Sequence, residues 1–149
     1  MGSWNIHCNN AHCEEETDPG TIEKLARPCH RDDLGFFLCS KCGQRGHIKK
    51  SFDTQEGGRW QPYLLGMVGH RPSPGETFFP FAFLTSDNSK GPVKQVWFCY
   101  YKDTRRKPGG RLKMGHGPGG PPVFELKHLS ELTRSVCAAV GTDDTAEHK

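Results

Sequence analysis

Two short stretches of this chain carry the residue types that hold a metal ion. In "CSKCG", residues 39–43, two residues separate Cys39 from Cys42, a spacing that lets both sulfurs face one ion. Gly43 follows, and glycine at that place closes the turn through a positive φ while backbone amides face the thiolates. Such a knuckle supplies only half of a tetrahedral set, so a second pair of ligands is required. "HCNNAHC", residues 7–13, offers Cys8 and Cys13 with four residues between them. Four thiolates suit Zn2+, and a closed four-ligand site leaves no position for substrate or water, so its expected role is structural.

The set Cys8, Cys13, Cys39 and Cys42 resembles a zinc ribbon over residues 4–47. The resemblance implies a small metal-stapled fold and a bound zinc ion. It departs from the usual pattern in two ways. The first loop is longer than the commoner two-residue form and has no glycine after Cys13, and 25 residues lie between Cys13 and Cys39. That insert contains Cys29 and His30, and His7, His12 and His47 stand near the cysteines, so His12, Cys29 or His30 could replace one of the four. The reading without a metal makes the cysteines small core residues. Seven cysteines cannot all pair with one another, and "MGSWNIHCNN" has neither the basic start nor the apolar stretch of an export signal. A reducing compartment, cytoplasmic or nuclear, is therefore expected.

Charge marks a second region. The net charge is only +3, yet residues 91–113 carry seven Lys or Arg against Asp103 alone. Within "YYKDTRRKPGGRLKMGHGPGG", residues 100–120, the candidate phosphate-binding residues are Tyr101, Lys102, Arg105, Arg106, Lys107, Arg111 and Lys113. Cations beside aromatic rings are the means by which single-stranded nucleic acid is held, and the glycines would let the backbone approach an anion. The bland alternative is a solvated hairpin tip. No Gly-Lys-Ser/Thr follows, so this is no P-loop, and no Gly-x-Gly-x-x-Gly opens a helix. Nucleic acid, DNA or RNA, is the expected partner. Two rival readings are an enzyme acting on a phosphate-bearing or nucleotide substrate, with His116 or His70 as base, and a protein-interaction adaptor.

These residues need elements to position them. "DPGTIEKLA" predicts a short helix with Asp18 as N-cap and Pro19 in its first turn. "LGFFLCSKCGQRGH" reads as a strand, a cysteine turn and a return, and residues 48–62 as a polar connection. "PYLLGMVG" is a strand or a buried turn. "TFFPFAFLTS" and "VKQVWFCYYK" are aromatic and β-branched, and form an antiparallel hairpin around "DNSKGP". Pro80 predicts an edge or a bulge. Alternation in the second strand sets Val96, Phe98 and Tyr100 on one face and Trp97, Cys99 and Tyr101 on the other. Leu126, Leu129, Leu132, Val136 and Val140 recur at helical spacing, with Gly141 as the stop. The expected fold is α+β: a zinc ribbon at 4–47, a β-rich domain with one C-terminal helix at 60–141, and a tail at 142–149. No apolar run approaches the roughly 18 residues of a membrane helix, so no membrane partner is expected.

Overall fold

The computed structural model describes residues 4–53, 57–69, 78–110, 112–115, 123–131, 133–134 and 139. Of these, 78, 79, 101 and 112–115 are described by backbone placement. The strands are β1 (Ile6–Cys8), β2 (Glu16–Thr17), β3 (Gly46–Lys49), β4 (Phe52–Asp53), β5 (Arg59–Trp60), β6 (Tyr63–Val68), β7 (Phe78–Ser86), β8 (Gln95–Asp103), β9 (Leu112–Gly115) and β10 (Val123–Glu125). Helix α1 covers Ile22–Leu25, and helix α2 begins at 126, with 126–131, 133, 134 and 139 helical.

All but β4 and β5, which form a separate two-stranded sheet, belong to one antiparallel sheet in the order β10-β8-β7-β6-β3-β1-β2. β9 also pairs with β8, on the same edge as β10 but farther along, opposite Tyr100–Asp103. The predicted hairpin is β7–β8, in register from Phe78↔Lys102 to Thr85↔Gln95. "PYLLGMVG" resolves to strand β6, with a register shift between Leu64 and Gly66. Pro80 lies beyond the last β6–β7 pair, Val68↔Ala82, so its missing N–H meets no ladder position on that side. β7 is interior to the sheet as a whole but is an edge at that point among the described residues.

β3 joins the two halves of the chain. It pairs with β1 through His7↔His47 and Cys8↔Gly46, and with β6 through Ile48↔Leu64 and Lys49↔Tyr63. One apolar core follows from this continuity. Ile6, Ile48, Leu64, Met67, Phe81, Phe83, Trp97 and Cys99 are buried together with Trp4, Phe37, the α1 residues Ile22 and Leu25, and Ala26 at the end of that helix. Trp4 stacks on Phe83 with centroids 5.7 Å apart, a contact that spans most of the described chain. The connection at 48–62 has a job of its own. Its β4–β5 hairpin sets Phe52 opposite Trp60, and both rings meet Trp97 edge-on, at 4.5 and 5.7 Å.

Helix α1 starts three residues later than the sequence signal suggests. Thr21 is the N-cap, and its hydroxyl accepts from the Lys24 amide. Asp18 instead accepts from Gly20 N in the preceding turn. The helix end is held by Arg31, whose guanidinium donates to the carbonyls of Ala26 and Met67. A C-terminal helix carbonyl that would otherwise lack a donor is thereby stapled to β6.

Candidate metal centre and basic hairpin

β1 delivers Cys8 at its last residue, and β3 starts four residues after Cys42, so the β1–β3 pairing brings the two cysteine loops together. Cys8 N donates to Glu15 O, closing the first loop, and Asn9 N donates to Arg45 O, tying it to the second. The ligand atoms of Cys8, Cys13, Cys39 and Cys42 all lie within 4.8 Å of one another. Cys8 Sγ and Cys42 Sγ are 3.4 Å apart, and Cys13 Sγ and Cys39 Sγ 3.8 Å apart. A tetrahedral ion with bonds of about 2.3 Å sets its sulfurs about 3.8 Å apart, so the group is compatible with a metal ion.

The surroundings favour thiolate at Cys39 and oppose it at Cys8. Burial opposes ionisation of Cys39, but the amides of Cys42 and Lys41 outweigh it and hold the thiol down to about 7. Burial pushes Cys8 up to about 12, with the Asn10 amide opposing and the other thiols adding to the rise. Four sulfurs this close cannot all carry charge without a cation, and an ion held among them would supply it.

The second loop turns as expected: Gly43 has φ 75° and donates to Cys39 O at 3.0 Å. In the first loop the residue after the second cysteine is Glu14, and it takes φ 51°. The conformation of the missing glycine is therefore present without the glycine. Additional bonds anchor the site. Ser40 N donates to Thr17 Oγ1 at 3.1 Å, and Lys41 Nζ lies 2.6 Å from Glu15 Oε1.

The alternative ligands stand outside this group. Cys29 is exposed, and neither it nor His12 nor His30 belongs to the set of mutually close donors among the described residues. His47 donates from Nδ1 to Asn9 Oδ1 at 2.6 Å, and His7 Nδ1 lies 3.2 Å from Glu16 Oε1. Burial, then the charges of His7 and Lys49, pull the His47 pKa below its ordinary value.

The basic segment forms the β8–β9 hairpin and its turn. Arg105 grips the Asp103 carboxylate at both oxygens, through Nε at 3.0 Å and Nη2 at 2.8 Å. Its Nη2 also lies 3.8 Å from Glu23 Oε2 of α1. Much of the Arg105 charge is thus spent inside the chain. At the far end of β8, Lys94 pairs with Asp87 at 3.0 Å. Lys102, Arg106 and Lys107 are exposed and form no ion pair among the described residues. The glycines of the turn serve the turn itself: Gly109 has φ 72°, and a Cβ at Gly110 would run into the Thr104 carbonyl oxygen.

Of the two faces of β8, the one bearing Trp97 and Cys99 is the core, at 0% and 6% exposure, whereas Phe98 on the other is 36% exposed. Sequence alternation separated these faces without choosing between them. Sequence pattern also assigned no role to the Asp103 carboxylate or to Glu14, whose roles rest on ion pairing and φ. The backbone of Tyr101 lies opposite Met114, and that of Lys102 opposite Lys113. Arg111, His70, His116, Cys137, Leu132, Val136, Val140, Gly141 and the tail at 142–149 lie outside the described residues. No described helix is long and apolar enough to cross a membrane. No protein-family profile, curated protein or solved structure matches the chain.

Proposed function

We propose that this chain is a zinc-bearing nucleic-acid-binding protein whose N-terminal cysteine loops form a zinc ribbon and whose contact surface is the β8–β9 hairpin. The observation that carries the reading is the register Lys102↔Lys113. Like charges set directly opposite in an antiparallel pair are destabilising, and this pair stands beside the exposed Arg106 and Lys107. An anion supplied from outside relieves that repulsion. A polyanion satisfies it along the hairpin.

The chemistry is neutralisation, with no covalent step. Each phosphate met by Lys102, Arg106, Lys107 or Lys113 releases condensed counterion, which supplies affinity that salt removes. Arg105 stands apart: it fixes the turn through Asp103 and so acts as a clip. Zinc would be held by Cys8, Cys13, Cys39 and Cys42, where it cross-links the loops that flank β1 and β3 and supplies stability.

The test is binding of a labelled oligonucleotide as a function of salt. Affinity should fall steeply with ionic strength. The combined change Lys102→Ala, Arg106→Ala and Lys107→Ala should lower affinity and flatten the salt slope by up to about 3. Absence of binding at low salt, or an unchanged slope in a folded triple variant, would remove this reading.

A further inference from the structure

The geometry of the four cysteines suits a second chemistry besides metal binding. Cys8 and Cys13 come from the first loop, Cys39 and Cys42 from the second. Two sulfur contacts cross between the loops: Cys8 Sγ to Cys42 Sγ at 3.4 Å, and Cys13 Sγ to Cys39 Sγ at 3.8 Å. The backbone fixes these partners. β1 and β3 pair at Cys8↔Gly46, and Asn9 N donates to Arg45 O, so the two loops share a base. A disulfide holds its sulfurs about 2.05 Å apart, and each contact exceeds that by less than about 2 Å.

Exposure orders the reactivity. Cys42 is exposed, Cys8 and Cys13 are half-buried, and Cys39 is buried. Oxidants reach exposed sulfurs first, so Cys42 is the point of entry, with Cys8 as the sulfur beside it. Exposed Cys29 and buried Cys99 stand outside the cluster.

We infer that the cysteine cluster is a redox site, which hydrogen peroxide converts to the disulfides Cys8–Cys42 and Cys13–Cys39 with release of the metal. The Cys42 sulfur attacks one peroxide oxygen: an S–O bond forms, the O–O bond breaks, and the other oxygen leaves as water. The Cys8 sulfur then attacks the sulfenic sulfur of Cys42. The S–S bond forms, the S–O bond breaks, and a second water leaves. Each pair of sulfurs thereby loses two electrons to one peroxide. The protons come from the two thiols, or from solvent where the sulfurs are metal-bound thiolates. Cys13 and Cys39 repeat the sequence with a second peroxide. A tetrahedral ion stripped of its thiolates is no longer held.

The pairing decides what happens to the fold. The two bonds join positions 34 and 26 residues apart. Closing long loops restricts the unfolded chain more than closing short ones, so cross-loop bonds take over the metal's role as staple. Pairing within each loop would leave the two loops untied. Metal release rests on the zinc reading above. The pairing does not, because a chain that holds no ion should form the same two bonds.

The experiment treats the zinc-loaded Cys29→Ala protein, which lacks the exposed competing thiol, with hydrogen peroxide. A coloured chelator follows zinc, and mass spectrometry of unreduced peptides maps the bonds. About one zinc per chain should be released. Of the pairings that four cysteines allow, Cys8–Cys42 with Cys13–Cys39 should dominate. Dithiothreitol should restore zinc binding, and the oxidised protein should melt above the reduced, chelated one. If Cys29→Ala fails to fold, the unaltered chain is mapped in its place. Pairing within the loops, conversion to sulfinic acid without disulfides, or zinc retained under peroxide overturns the inference. Protein that never holds zinc but forms the two expected bonds supports the pairing and removes the zinc reading.

Discussion

Glu14 and Gly43 occupy equivalent places in the two cysteine loops, each directly after the second cysteine and each at positive φ, 51° and 75°. Only one of them is suited to that conformation. A residue with a Cβ pays roughly 1–2 kcal/mol in the left-handed region. Glu14→Gly should therefore stabilise the metal-loaded protein by about 1 kcal/mol, and Gly43→Ala should destabilise it by a similar amount. Chemical denaturation of both variants, at equal metal content, measures the difference. A destabilised Glu14→Gly protein would show that the Glu14 side chain contributes more than its backbone strain costs.

Metal retention is the second expectation. Cys39→Ser and Cys42→Ser should lose zinc, and Cys29→Ala should keep it, as read by metal analysis after gel filtration. Chelation should lower the thermal midpoint.

The pH dependence of that retention has a definite sign. Ligand sulfurs must be deprotonated to bind, and without metal Cys8 holds its proton up to about 12. Metal loading should release protons near neutral pH, and affinity should rise with pH and fall on acidification. Calorimetry in buffers of different ionisation enthalpy counts those protons. A count of zero excludes thiolate ligation by Cys8.

Asp103 provides a separate probe of the hairpin. The bond from the Arg105 guanidinium, then the Arg105 amide, hold its carboxyl down to about 2. A depressed folded-state value means a stabilising contribution that is present above the ordinary carboxylate range and lost as pH falls toward 2. Arg105→Ala should return the Asp103 titration, followed by NMR, to ordinary values. The same variant should lose less nucleic-acid affinity than Arg106→Ala, because Arg105 is already neutralised within the chain.

Trp97 tests the shared core. It is fully buried beneath Phe52 and Trp60. Trp97→Ala should cost about 3–5 kcal/mol. In a double-mutant cycle Phe52 and Trp97 should couple by about 0.5–1.5 kcal/mol, as an aromatic pair does.

The local signals in the sequence were legible. Two cysteines and a glycine mark a turn compatible with a metal ion, because the turn is made by adjacent residues. The β7–β8 hairpin announced itself through composition on both sides of a short polar loop. What the sequence hid was non-local. Residues 48–62 look polar and unremarkable, yet Phe52 and Trp60 meet Trp97, which lies more than 35 positions later. The helix start slipped from Asp18 to Thr21 because both residue types can cap, and burial of Ile22 and Leu25 decides between them. Counting charges also could not show that Asp103, the one acid of the segment, is held by Arg105.

The double pairing of β3 has a consequence for how the chain can be divided. A strand with neighbours on both sides has no raw edge, and β3 occupies that position between β1 and β6. A protease cut in the β4–β5 hairpin would leave β3 on one fragment and β6 on the other, each with an open row of amides and carbonyls and a row of apolar side chains beside it. Such edges are templates for aggregation. The two fragments should be poorly behaved apart and should reassemble when mixed, so that the cysteine loops and the basic hairpin stand or fall as one cooperative unit.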